Sequence, residues 1–65
     1  MSLAATLATN LRNRRGDLTQ EQFARKLGIS RPTLTRLENG AQNTTIKTLD
    51  QIAKSLKCDA GDLLR

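Results

Sequence analysis

The segment Leu18–Gly40, LTQEQFARKLGISRPTLTRLENG, constrains the fold more than any other part of the chain. It reads as two short helices joined by a tight turn at Gly28. Thr19 opens the first helix, and Thr19 with Gln22 forms a T-x-x-Q capping box in which each side chain serves the other residue's backbone N–H. Glu21 lies in the first turn, where negative charge is favoured. Leu18 before the cap and Phe23 after it are spaced for a hydrophobic staple. Phe23, Ala24 and Leu27 recur on one face, and Gly28 directly behind them takes the left-handed conformation that ends a helix. Ser30 caps the second helix. Pro32 falls in its first turn, where a missing N–H costs nothing. Leu34 and Leu37 point inward, and Asn39-Gly40 stops it.

The flanks supply the remaining elements. Leu3, Leu7 and Leu11 recur every four residues with Ala4 and Ala8 beside them, which predicts one apolar helical stripe from about Ser2 to Arg14 or Arg15, capped by Ser2. Gly16-Asp17 breaks it. After the polar stretch Ala41–Thr44, Thr45 caps a fourth helix carrying Ile46, Leu49, Ile52, Ala53 and Leu56. Asp59 and Asp62 stand at cap and N3 of a last turn, with Leu63 and Leu64 left to pack. No segment alternates as a strand. The expectation is an all-α, compact five-helix bundle, a single domain over residues 1–65 with short connections.

The totals narrow the function. At 65 residues the chain lies near the lower limit for independent folding. Its 11 Lys and Arg against 6 Asp and Glu give a net charge of +5, which suits a polyanionic partner, although charge also serves solubility. Phe23 is the only aromatic, so stacking on unpaired bases has little support, and single-stranded nucleic acid and most RNA modules are disfavoured. Cys58 is the only cysteine and there is no histidine, which leaves no intramolecular disulfide and no Cys/His zinc site. Cys58 reads as a small core residue. No apolar run approaches the ~18 residues of a membrane span, and the N-terminal basic residues follow its apolar ones, the reverse of a secretory signal. A cytoplasmic protein without cofactor, metal or evident small-molecule ligand is the simplest expectation. With no paired acids suitably placed and no nucleotide-binding loop, no catalytic constellation is visible, and an enzyme is not expected.

The central segment carries the spacing that a helix-turn-helix requires. Its two helices approach closely, so the first needs a small residue facing the second, and Ala24 is that residue. Gly28, four positions on, reverses the chain. Leu34, six positions further, plugs the angle between the helices. With Gln20, the caps and the apolar frame in agreement, the signal is far more specific than a lone A-x-x-x-G.

At this level TQEQFARKLGISRPTLTRLENG resembles the helix-turn-helix of the phage repressor and Cro family of small bacterial and phage regulators. The likeness extends through TTIKTLDQIAKSLKCDAGDLL, similar to that family's fourth and fifth helices, and the ENG after the second helix is among its specific marks. The resemblance implies a lambda-repressor-like fold and roles position by position. Gln20 matches a phosphate-binding position at a helix N-terminus, where anions are favoured. Ser30 matches another phosphate-facing cap. Arg31, Pro32 and Thr33 match the base-reading leading turn of the recognition helix, and Arg36 matches the base contact one turn later. An arginine there can pair bidentately with guanine O6 and N7. Pro32 departs from the polar residue often found at its position: it can touch a thymine methyl but donates no hydrogen bond. The segment Asn39–Thr44 matches the stretch that meets the DNA backbone after the recognition helix, and here offers Asn39, Asn43, Thr44 and main-chain amides. Glu38 is implied to pair with an arginine of the first helix. Arg12 is the expected partner, held near phosphate by the pair. Thr35, Arg25 and Lys26 are expected in solvent.

Two functions follow. The first is a non-enzymatic transcriptional regulator that binds a two-fold symmetric double-stranded operator as a homodimer, with half-sites about one helical turn apart. The subunit contact would involve the loop after the recognition helix and the C-terminal helices, with Leu63, Leu64 and the Lys57-Cys58 turn as candidates. The second is an antitoxin-like or adaptor module that uses the same fold for a protein partner. Toxin-neutralising proteins usually need an extra segment to occupy the toxin, and the expectation is that a chain ending at Arg65, directly after its last helix, offers none.

Overall fold

The computed structural model describes residues 2–41 and 44–65. The element order is α1 (Leu3–Arg15), α2 (Gln20–Leu27), α3 (Arg31–Glu38), α4 (Ile46–Ser55) and α5 (Ala60–Leu63), with no strand among the described residues. Each of the first four helices starts where a hydroxyl residue caps it. Ser2, Thr19, Ser30 and Thr45 accept from the N–H groups of Ala5, Gln22, Thr33 and Thr48 at 3.0–3.2 Å. The Thr19–Gln22 box is complete, because the Thr19 N–H donates to Gln22 Oε1 at 3.0 Å. At α5 the Asp59 N–H donates to Asp62 Oδ2 at 3.2 Å.

Helices α2, α3 and α4 end on one pattern of backbone bonds. Ile29 N–H reaches Ala24 O and Gly28 N–H reaches Arg25 O; Ala41 reaches Arg36 and Gly40 reaches Leu37; Cys58 reaches Ala53 and Lys57 reaches Lys54. Each is a Schellman closure, in which one residue beyond the helix turns left-handed. Gly28 (φ +74°) and Gly40 (φ +83°) do so freely, whereas the third position is Lys57 at φ +56°.

The core is built from one face of each helix. Leu7, Leu11, Phe23, Ala24, Leu27, Leu34, Leu37, Ile52, Ala53 and Leu63 form one buried cluster, with Ile29, Leu49, Leu56, Cys58, Ala60 and Leu64 half-buried against it. Helix α1 packs on α3 and α5, α2 on α3 and α4, and α4 on α5. Polar ties complete the frame. Asn10 Nδ2 donates to the carbonyls of Leu63 (2.8 Å) and Arg65 (3.3 Å), which fastens the C-terminal turn to α1. Gln51 of α4 donates to the Gly28 carbonyl at 2.7 Å and so holds the α2–α3 turn from behind. The result measures 27 × 22 × 20 Å. Among the described residues no helix is long and apolar enough to cross a membrane.

Three expectations from apolar spacing require correction. Leu3 is 64% exposed and Ile46 is 84% exposed, although each begins a stripe whose later members are buried or half-buried. Both stand in the first turn of a helix, and Leu3 rims an open hollow with Leu7, Ala41, Leu49 and Leu64 rather than being covered. Leu18 is 36% exposed, so the proposed staple leaves it at the surface while Phe23 is fully buried. Leu63 packs in the core as its place in the last turn predicts; being fully buried, it is corrected only as a candidate for the subunit contact that the family resemblance implied.

Candidate nucleic-acid interface

Burial of Leu34 and Leu37 fixes which face of α3 looks outward. Arg31, Pro32 and Arg36 are exposed on that face, and together with half-buried Thr35 they line one shallow hollow. Arg36 also borders a second hollow, with Thr33, Leu37, Ala41, Thr44, Thr45 and Thr48. The arginine therefore stands between the α3 face and the N-terminus of α4. Ser30 caps α3 and shares its hydroxyl with Thr33 Oγ1 at 2.7 Å, which orients both side chains at the start of the helix.

The only acid of α3 has been withdrawn from this surface. Glu38 is 2% exposed. Its carboxylate accepts from Arg15 Nε at 3.0 and 3.2 Å and from Gln20 Nε2 at 3.2 Å. An ionised carboxylate is buried only when charge and lone pairs are answered in this way. The outward face of α3 thus keeps two guanidinium groups and no carboxylate.

The partner of Glu38 is Arg15, not Arg12. Both lie on the same side of α1, three residues apart. Arg15 is nearer the α1–α2 turn, where its Nη1 also donates to the Leu18 carbonyl at 3.0 Å. Arg12 instead donates through Nη1 to the backbone carbonyl of Glu38, at the negative end of α3, and through Nη2 to Thr9 Oγ1 at 3.5 Å.

Gln20 stands at the first position of α2, half-buried. Its Nε2 donates to Glu38 Oε1, and its Oε1 accepts from Thr35 Oγ1 at 3.0 Å. Thr35 is therefore not a plain surface threonine but the residue through which α3 holds the head of α2. Neither Thr35 nor Arg15 stood out in the sequence. A signal was available for Thr35, which lies one helical turn after Arg31 and so shares its stripe. Arg25 and Lys26 are exposed, with Arg25 only 3.7 Å from Glu21 in a solvated pair. Asn39 is exposed where α3 ends. The Thr44 hydroxyl is buried, has no hydrogen-bond partner among the described residues and does not face outward. Asn43 lies outside the described residues.

A family model described as helix-turn-helix matches residues 10–63, which takes in every helix described above apart from the first turns of α1. The chain belongs to the helix-turn-helix family, in its Cro and repressor branch. Among its relatives is the plasmid copy control protein CopR of Streptococcus agalactiae, 42% identical over 45 residues, an overlap covering 69% of this chain and 49% of CopR. The antitoxin HipB of Escherichia coli (strain K12) is 40% identical over 47 residues, covering 65% of this chain and 53% of HipB. A crystal structure of a hypothetical transcription factor, NHTF from Neisseria, superposes with a TM-score of 0.85 at 30% identity, over 98% of this chain and 76% of that one. The helix-turn-helix domain thus spans about half the length of the two relatives.

Proposed function

We propose that this helix-turn-helix chain reads double-stranded DNA as part of a transcriptional regulator, with α3 in the major groove and the head of α2 on the phosphate backbone. One observation carries the reading: the exposed face of α3 offers Arg31, Pro32 and Arg36, while the helix's single acid is buried and neutralised beneath it. In this pose Arg36 pairs with a guanine edge, Arg31 serves base or phosphate, and Pro32 packs on a thymine methyl. Gln20 and Ser30 meet phosphates, helped by two helix N-termini, and Thr33 reads the bases beside them. Arg12, Asn39, Asn43 and Thr44 are the outer phosphate candidates. Of these, Arg12 and Asn39 are exposed, while Thr44 must engage through its backbone N–H.

One such domain buries little DNA surface, so a pair of copies on a two-fold operator is the arrangement we favour. A body of 27 × 22 × 20 Å is small enough for two copies to lie in successive major grooves, about 34 Å apart, without overlap. The chain would act in the cytoplasm, on the cell's DNA, and without catalysis.

The test is selection of a duplex from a random pool by the whole chain, followed by binding isotherms at several salt concentrations. The selected duplex should bind at least ~10³-fold more tightly than a scrambled one, with a steep loss of affinity as salt rises. Equal, weak binding to every duplex would count against the reading. Similarity to HipB favours a second one, in which a protein partner is the main target and DNA is secondary. That reading predicts tight complex formation with a protein encoded beside this chain and no duplex enriched by selection.

A further inference from the structure

The Gln20 carboxamide is committed before any DNA arrives. Its oxygen accepts from Thr35 Oγ1 at 3.0 Å, and its nitrogen donates to Glu38 Oε1 at 3.2 Å. The two ends cannot be exchanged. A carboxylate accepts only, so a flipped amide would set its oxygen against the Glu38 oxygens, and Arg15 already holds those in place at 3.0 Å. Among the described residues one N–H of Gln20 has no partner, on a residue that keeps part of its surface open.

We infer that Thr35, on the recognition helix, is a positioning residue for Gln20. With Glu38 it fixes the amide so that the spare N–H is presented to a phosphate at the head of α2. The inference rests on the DNA-binding reading above and adds to it a coupling between the two helices of the motif. A free glutamine side chain would lose rotamer freedom on meeting phosphate. Here that freedom is already spent in folding. The arrangement also joins the phosphate anchor to the base-reading helix, so that α2 and α3 meet the duplex in one register. Thr35 need touch neither base nor phosphate for this.

The experiment compares the wild-type chain with Thr35→Val, Thr35→Ser, Gln20→Ala and the Gln20→Ala/Thr35→Val pair, using the duplex selected by the wild type and a scrambled duplex. Thr35→Val keeps the branched shape and removes only the hydroxyl. It should weaken both duplexes about fivefold, the scale of one neutral hydrogen bond, and leave their affinity ratio unchanged. Thr35→Ser should restore wild-type binding. In the Gln20→Ala background the Thr35→Val change should have no further effect. In the DNA-free protein, the two side-chain amide proton resonances of Gln20 should be well dispersed in the wild type and Thr35→Ser, and collapse toward the free-amide position in Thr35→Val. Circular dichroism shows whether each variant is folded at the temperature used, and Thr35→Ala replaces Thr35→Val if the latter is not.

Wild-type affinity in Thr35→Val overturns the inference. So does an undiminished Thr35→Val effect in the absence of Gln20, or a Gln20 amide spectrum blind to Thr35. A wild-type chain that enriches no duplex overturns this inference together with the DNA-binding reading. A wild type that binds while Thr35→Val is silent overturns the inference alone.

Discussion

Gln51 Nε2 donates to the Gly28 carbonyl at 2.7 Å, and a Cβ placed on Gly28 would lie 2.7 Å from that same nitrogen. The turn between α2 and α3 is thus closed from two directions: by its own left-handed φ of +74° and by a side chain from α4 that occupies the space beside it. Gly28→Ala should cost about 1–2 kcal/mol for the left-handed alanine and about 1 kcal/mol more for displacing the Gln51 bond. Chemical denaturation reads the sum. In a Gln51→Ala background the same substitution should cost only the conformational part, because the obstructing amide is gone. Equal costs in both backgrounds would show that Gln51 yields freely.

The caps, the turn and the central core were legible in the sequence because each is a local relation. A threonine and the N–H three residues on are neighbours in any helix that starts there, and Leu34 and Leu37 set the outward direction of Arg31 and Arg36 whatever surrounds them. Leu3 and Ile46 were misread because periodicity gives the direction of a face but not where the covering element ends. The exchange of Arg12 for Arg15 has a similar origin: residues three apart share a helix face, and only the position of α3 decides which reaches Glu38. The Thr35–Gln20 bond spans fifteen residues and two helices, and no spacing rule foretells it.

The Arg15–Glu38 pair is asymmetric, with side chains 26% and 2% exposed. Removing Arg15 strands a buried carboxylate with Gln20 as its remaining side-chain donor, whereas removing Glu38 leaves an arginine that can turn to water. Arg15→Met should therefore destabilise by about 3 kcal/mol or more, and Glu38→Met by clearly less. The double substitution should recover much of the Arg15→Met loss, since a well-packed apolar pair avoids both desolvation costs. Urea midpoints at constant m-value test the order. Equal losses from the two single changes would mean that water reaches the Glu38 carboxylate.

Lys57 closes α4 in the same backbone pattern that Gly28 and Gly40 use for α2 and α3, at φ +56°. A left-handed residue with a Cβ costs about 1–2 kcal/mol, partly offset because glycine has more freedom to lose on folding, about 0.5–1 kcal/mol. Lys57→Gly should raise stability by about 0.5–1 kcal/mol, or a few degrees in Tm for a domain of this size. Lys57→Ala should bring no such gain. Thermal melts of the three proteins decide between relief of this strain and a simple effect of charge.

Arg36 borders both the hollow along the α3 face and the one facing the start of α4, and it is the arginine placed deepest along the recognition helix. If it reads a guanine, Arg36→Ala should cost about 1–3 kcal/mol of binding and relax preference at a single base pair of each half-site. Arg36→Lys should restore most of the charge but not the bidentate geometry, so affinity should recover more than specificity. A phosphate contact predicts the opposite pattern: a uniform loss across sequences, a salt slope smaller by about 1, and near-full rescue by lysine. Repeating the duplex selection with each variant separates the two, because only loss of a base contact changes the sequence that is enriched.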